Sequence, residues 1–210
     1  MRSLSVVALV AALVVAPGTA RQAKADSAFN AIWMSSAALL AAGIVGDLVR
    51  GNEISSKAMP REKDLLTFGV GAYNIIEDNK NDFDSTPALF RFEYRPSYYA
   101  WIAHPFLGFE ATHLGSTYLY GGVMADVRFG KHLILSPSAA LGWYNEGNAR
   151  DLGYPLEFRT GIEAAWRFDD GLRAGVAFHH ISNAGIGDIN PGIEEVTLNL
   201  SFPIQYFVGK

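Results

Sequence analysis

The chain has 210 residues, half of them hydrophobic, with 13 Phe, 9 Tyr and 21 Gly, a size that suits one domain but lacks the long uninterrupted apolar spans of a helical membrane protein. A net charge of −4, with no basic stripe and no zinc-type ligand spacing, argues against nucleic acid as a partner and against a bound metal. Cysteine is absent, which excludes disulfide staples and a thiol nucleophile.

The N-terminus reads as a secretory signal peptide over residues 1–25. Arg2 opens a short basic region, Leu4 to Val15 is an apolar core too short to span a bilayer, and Ala23-Lys24-Ala25 is a small-x-small cleavage pattern, with Gly18-Thr19-Ala20 as a rival. Residues 26–64 form an extension. Its apolar part, Ala31 to Val49, contains Ser35, Ser36, Gly43, Gly46 and Asp47. It reads as a short helix in the periplasm or against a barrel, with a retained anchor or an extended leader as alternatives. The charged residues from Arg50 to Asp64 read as a polar linker.

The third region, 65–210, is all-β. Alternation and turn residues predict segments at about 66–76, 87–95, 105–113, 117–129, 132–145, 155–168, 171–182 and 194–207. Eight is the smallest usual number for an outer-membrane barrel, and the segment lengths suit tilted membrane-crossing strands. The faces agree. In the second segment Phe90, Phe92 and Tyr94 oppose Arg91, Glu93 and Arg95; in the sixth, Leu156, Phe158, Ile162, Ala164, Trp166 and Phe168 oppose Glu157, Arg159, Glu163 and Arg167. Lipid outside and neutralising charge inside predict an eight-stranded antiparallel transmembrane β-barrel. A soluble sandwich shows the same alternation; the leader and the wide aromatic faces favour the membrane.

Connections at 129–132 and 168–171 are tight, whereas 76–87, 145–154 and 183–193 are long and polar. Short turns belong in the periplasm and long loops outside, so the seventh strand ends near the extracellular surface. On that strand Leu172, Ala174, Val176, Phe178, His180 and Ser182 share one face, and on the next Glu194 has the parity of Val196, Leu198, Leu200 and Phe202. Histidine, serine and glutamate thus extend apolar rows, where uncompensated polar groups are unfavourable. In a hairpin they converge near its loop, as a serine nucleophile, its base and an orienting carboxylate must. Asn183, Asn190 and Gly192 are candidate oxyanion donors, with the Asn190 side chain preferred and the Gly192 N–H second. Glu195 and His179 have inward parity and read as interior groups. His113, near an upper strand end, is a candidate for approaching a substrate; Asp188 reads as a solvated loop residue with cation binding as the alternative, and Lys80 and Arg150 as solvated loop charges with phosphate contact as the alternative.

The segments His180-Ile181-Ser182-Asn183-Ala184 and Asn190-Pro191-Gly192-Ile193-Glu194 resemble the signature of the outer-membrane lipid A 3-O-deacylase (PagL) family. The resemblance implies an eight-stranded barrel in the bacterial outer membrane that hydrolyses the ester-linked 3-hydroxyacyl chain at position 3 of lipid A. It implies His180 as base, Ser182 as nucleophile, Glu194 as orienting acid and Asn190 at the oxyanion. Lipopolysaccharide is then the expected partner, no cofactor is needed, and a homodimer is among the open arrangements. The extension over 26–64 and the ending Tyr206-Phe207-Val208-Gly209-Lys210 depart from the family pattern. Alternatives are a non-catalytic outer-membrane scaffold and an outer-membrane phospholipase or acyltransferase.

Overall fold

The computed structural model of the chain describes residues 63–76, 83, 85–98 and 103–208. The expected signal peptide, nearly all of the 26–64 extension and Lys80 lie outside the described residues. The strands are β1 (Leu65–Tyr73), β2 (Ala88–Arg95), β3 (Ala103–Thr112), β4 (Thr117–Ala125), β5 (Val127–Phe129), β6 (Leu133–Asn145), β7 (Leu156–Arg167), β8 (Arg173–Ser182) and β9 (Ile193–Pro203). Each pairs antiparallel with its neighbours. β1 pairs with β9 and β4 with β6, which closes the sheet.

The expected fourth segment, 117–129, is realised as β4 and β5 with a break at Asp126. Both pieces keep one register against β6, with Met124 opposite Ser138 and Val127 opposite Leu135. Together they therefore make one wall position, and the barrel has eight. Continuing the β4 register brings Ala125 against Pro137, which has no N–H to give to the ladder. Asp126 turns inward to accept from Ser136 Oγ at 2.7 Å and to pair with Arg173 at 2.8 Å.

The eighth expected segment is also shorter than its alternation suggested. β9 ends at Pro203, and residues Gln205–Val208 form one helical turn, α1. Its Phe207 ring packs against Phe202 and Phe68 on the outer wall. Tyr206 donates to Asp170 at 2.8 Å, and that hydrogen bond holds the exposed Asp170 carboxyl below its ordinary range.

Polarity is inverted relative to a water-soluble domain. Phe68, Phe90, Phe92, Leu107, Phe109, Leu119, Leu141, Trp143, Trp166, Val176 and Leu198 are exposed on the outer wall. The lumen is filled with charge. Arg159 donates to Glu93 (2.8 Å) and Glu110 (2.5 Å) while its guanidinium lies 3.9 Å over the Tyr120 ring. Arg95 joins Glu93 to Glu163, and Arg91 joins Glu110, Thr197 and Glu195. A small barrel is plugged by its own side chains, so chemistry belongs on the wall or the rim. The strand polarity puts the long β6–β7 and β8–β9 connections at one end, the extracellular one by loop length.

Candidate active site

The β8–β9 register sets His180 directly opposite Glu194 and His179 directly opposite Glu195. Successive side chains face opposite sides of the sheet, so one His/Glu couple lies on the outer wall and the other in the lumen. On the outer wall His180 Nδ1 and Glu194 Oε1 are 3.0 Å apart. Ser182 follows two residues along β8 on the same face, opposite Phe158 of β7. In the lumen His179 Nδ1 accepts from Arg91 at 3.1 Å and stands 3.4 Å from Glu195, as inward parity required.

The outer-wall trio is shielded although it is on the lipid side: His180 is 2 %, Ser182 6 % and Glu194 8 % exposed. Lower on the same row Val176 is exposed and Phe178 half-buried. Beside the trio the extracellular connections are joined to one another. Asn183 Nδ2 donates to the carbonyls of Leu152 and Ile189, each at 2.7 Å, and Asn183 Oδ1 accepts from Gly185 N–H at 2.8 Å. Its side chain therefore clasps loop 183–192 to loop 146–155. The two loops approach so closely that a Cβ on Gly187 would stand 2.7 Å from the Gly153 carbonyl oxygen.

Asn190 reaches back across its own loop, its Oδ1 accepting from Asn183 N–H at 3.1 Å. That contact fixes the orientation of the Asn190 amide beside the Ser182–Asn183 peptide. Gly192 has a φ of 62°, and a Cβ there would stand 2.9 Å from His180 Cε1. Only a residue without a side chain lets the loop turn against the imidazole edge. Thus His180, Ser182, Glu194, Asn190 and Gly192 form one cluster, while the Asn183 side chain is occupied in joining the two loops.

The remaining candidates lie elsewhere. His113 Nδ1 accepts from Ala88 N–H at 3.0 Å, capping the start of β2. Arg150 is buried and donates to Asn74 Oδ1 at 2.8 Å instead of reaching into solvent; Asp188 is exposed. Among the described residues no group of three or more His, Asp or Glu side chains is arranged to hold a metal. Thr160, which is not among the residues expected at the site, stands opposite His180 on β7 with its side chain on the outer wall. Its signal was a hydroxyl in the apolar row of the sixth segment.

Residues 66–203 match the family described as lipid A 3-O-deacylase (PagL). Among solved structures, that titled the crystal structure of the outer membrane enzyme PagL is similar at 20 % identity, with a TM-score of 0.53, covering 67 % of this chain and 99 % of that one. A de novo designed transmembrane β-barrel aligns at 10 % identity and a TM-score of 0.48, over 68 % of this chain and 97 % of its own. The Yersinia pestis outer membrane protein Ail aligns at 12 % and 0.41, over 67 % and 100 %. No curated protein matches the sequence. With the family match spanning the barrel from β1 to the end of β9, and an apolar wall around a charged lumen, the chain belongs to the lipid A 3-O-deacylase family and is an outer-membrane β-barrel.

Proposed function

We propose that the protein hydrolyses the ester-linked 3-hydroxyacyl chain at position 3 of lipid A by a Ser-His-Glu mechanism on the outer wall of its barrel. The observation that carries this reading is the 3.0 Å contact between His180 Nδ1 and Glu194 on a lipid-facing row that also holds Ser182. Three polar side chains on such a row are costly without a purpose. With Nδ1 turned to Glu194, Nε2 is the ring nitrogen that takes the serine proton, and the carboxylate stabilises the imidazolium that results.

Ser182 Oγ attacks the ester carbonyl as His180 accepts its proton. The oxyanion that develops is held by the Asn190 amide and the Gly192 N–H. Collapse breaks the ester bond, His180 returns the proton to the departing sugar oxygen, and the acyl group remains on Ser182. Water then attacks the acyl-enzyme with His180 as base, releasing a hydroxy fatty acid and the free serine. The acyl chain descends the outer wall past Phe178 and Val196, which face one another one row below His180 and Glu194. Asn183 keeps the loops docked above the row.

Mass spectrometry of lipid A from cells making the intact protein or Ser182→Ala at equal outer-membrane levels tests the proposal. Loss of one ester-linked 3-hydroxyacyl group with the intact protein alone is the expected result. Identical lipid A in both refutes it in favour of a scaffold, and consumption of phospholipid or gain of an acyl chain refutes it in favour of another lipid enzyme.

A further inference from the structure

The two extracellular connections joined by Asn183 are polar in sequence, yet they hold apolar side chains outward. Tyr154, Ile186 and Ile189 are 46 %, 51 % and 52 % exposed. These are not loose tips. Ile186 N–H donates to the Asn183 carbonyl at 3.2 Å, and the Ile189 carbonyl accepts from Asn183 Nδ2. A Cβ on Gly153 would stand 2.5 Å from Ile189 Cγ1, so Ile189 lies against the residue that precedes Tyr154. Apolar groups held in water are unfavourable, and a contiguous exposed set of them marks contact with another apolar phase.

The wall beneath identifies that phase. Tyr144 N–H donates to the Pro155 carbonyl at 2.7 Å, which carries the β6–β7 ladder one step past Trp143 and Leu156. Side chains two apart share a face, so Tyr154 continues the outer row of Leu156 and Phe158. Trp143, opposite Leu156, is exposed on the same wall. The lipid-facing surface is thus unbroken from Phe158, opposite Ser182, up to Tyr154 and through Gly153 to Ile189. Four residues at about 3.4 Å each, on a strand tilted by about 40°, put Tyr154 roughly 10 Å outside the Ser182 row. Charge sets the upper limit. Among the described residues of these two connections the exposed charged side chains are Glu146, Asp151 and Asp188, whereas Arg150 is buried. Carboxylates stay at the headgroup level, and tyrosine favours the same boundary.

We propose that the clasped loops form a membrane-embedded ledge, with Tyr154, Ile186 and Ile189 among the acyl chains at the top of the outer leaflet, so that the row of His180, Ser182 and Glu194 lies below the hydrocarbon boundary and opens sideways into the leaflet. Continuity with the lipid-facing wall selects lipid over a protein partner as the occupant. The ledge does not depend on which bond the site cleaves.

The chain has no cysteine, so Ile186→Cys, Ile189→Cys and Glu146→Cys each give a single labelling site in the full chain, folded into dilauroylphosphatidylcholine vesicles. An environment-sensitive nitrobenzoxadiazole label is read against two quenchers, a nitroxide on the acyl chain near the headgroup and aqueous iodide. Labels replacing Ile186 and Ile189 are expected to emit further to the blue than the label replacing Glu146, to be quenched by the nitroxide lipid, and to lose most of their quenching by iodide. Tyr154→Cys supplies the same reading should either isoleucine variant fail to insert. Iodide quenching equal to that of the Glu146→Cys label overturns the proposal. Protection from iodide without nitroxide quenching also overturns it, in favour of a second copy of the chain covering the ledge. Neither result requires lipid A hydrolysis, so failure of the deacylase reading is distinguishable from failure of this one.

Discussion

Gly192→Ala separates the geometry of the His180 site from the backbone conformation of its loop. Gly192 has a φ of 62°, and the added Cβ would meet His180 Cε1 at 2.9 Å, the Ile181 carbonyl oxygen at 3.3 Å and His180 Nε2 at 3.5 Å. To reach an ordinary carbon–carbon separation the imidazole must retreat by about 0.6 Å or more. A misplacement of about 1 Å at a reacting group costs on the order of 100-fold, so kcat is expected to fall by about 10- to 100-fold. Gly185 in the same loop supplies the control: its φ is 79°, and a Cβ there has nothing within 4 Å. Left-handed conformation costs an L-residue roughly 1–2 kcal/mol, so both alanine variants lose that stability and Gly192→Ala adds the cost of displacing the imidazole. Only Gly192→Ala should lose turnover. Deacylation rates in micelles, paired with urea unfolding midpoints, read the two quantities separately. Equal activity of the two variants would refute the argument that His180 reacts from the position Gly192 permits.

Glu194→Gln keeps the shape opposite His180 but removes the charge that stabilises the imidazolium; kcat is expected to drop by about 10²- to 10⁴-fold, with KM little changed, in steady-state assays. Asn183→Ala deprives the Leu152 and Ile189 carbonyls of their donor at a local cost of about 1–3 kcal/mol. Faster proteolytic cleavage within 146–155, with the gel mobility of the folded barrel retained, is the expected signature, and unchanged cleavage would show that the clasp does not hold the loops. Arg159→Met leaves Glu93 and Glu110 without their shared guanidinium, and breaking such a buried cluster costs about 3–5 kcal/mol. Its urea midpoint should fall accordingly, and a midpoint within error of the unaltered protein would refute that role for the lumen network.

Alternation carried most of the barrel. Phe90, Phe92 and Tyr94 against Arg91, Glu93 and Arg95 already divide wall from lumen, because side-chain direction along a strand has a period of two and depends on no distant residue. The same parity put His180, Ser182 and Glu194 on one wall and His179 and Glu195 inside, before any pairing was known. The strand ends were less legible. The alternation through 117–129 has no gap; the break at Asp126 follows from Pro137 on a neighbouring strand and from Ser136 and Arg173 across the lumen.

The sequence by itself determined which face each residue of the final hairpin occupies, since that is a local property of an extended chain. Only the tertiary structure decided which residues meet. It bonded Asn183 to Leu152, 31 residues away, so that an asparagine with the composition of an oxyanion donor became a loop clasp. It also brought Thr160 beside His180 through a register that no single strand encodes. Hydrogen-bond partners across loops and diagonal neighbours across strands depend on closure of the whole sheet, and closure is a property of all its pairings together.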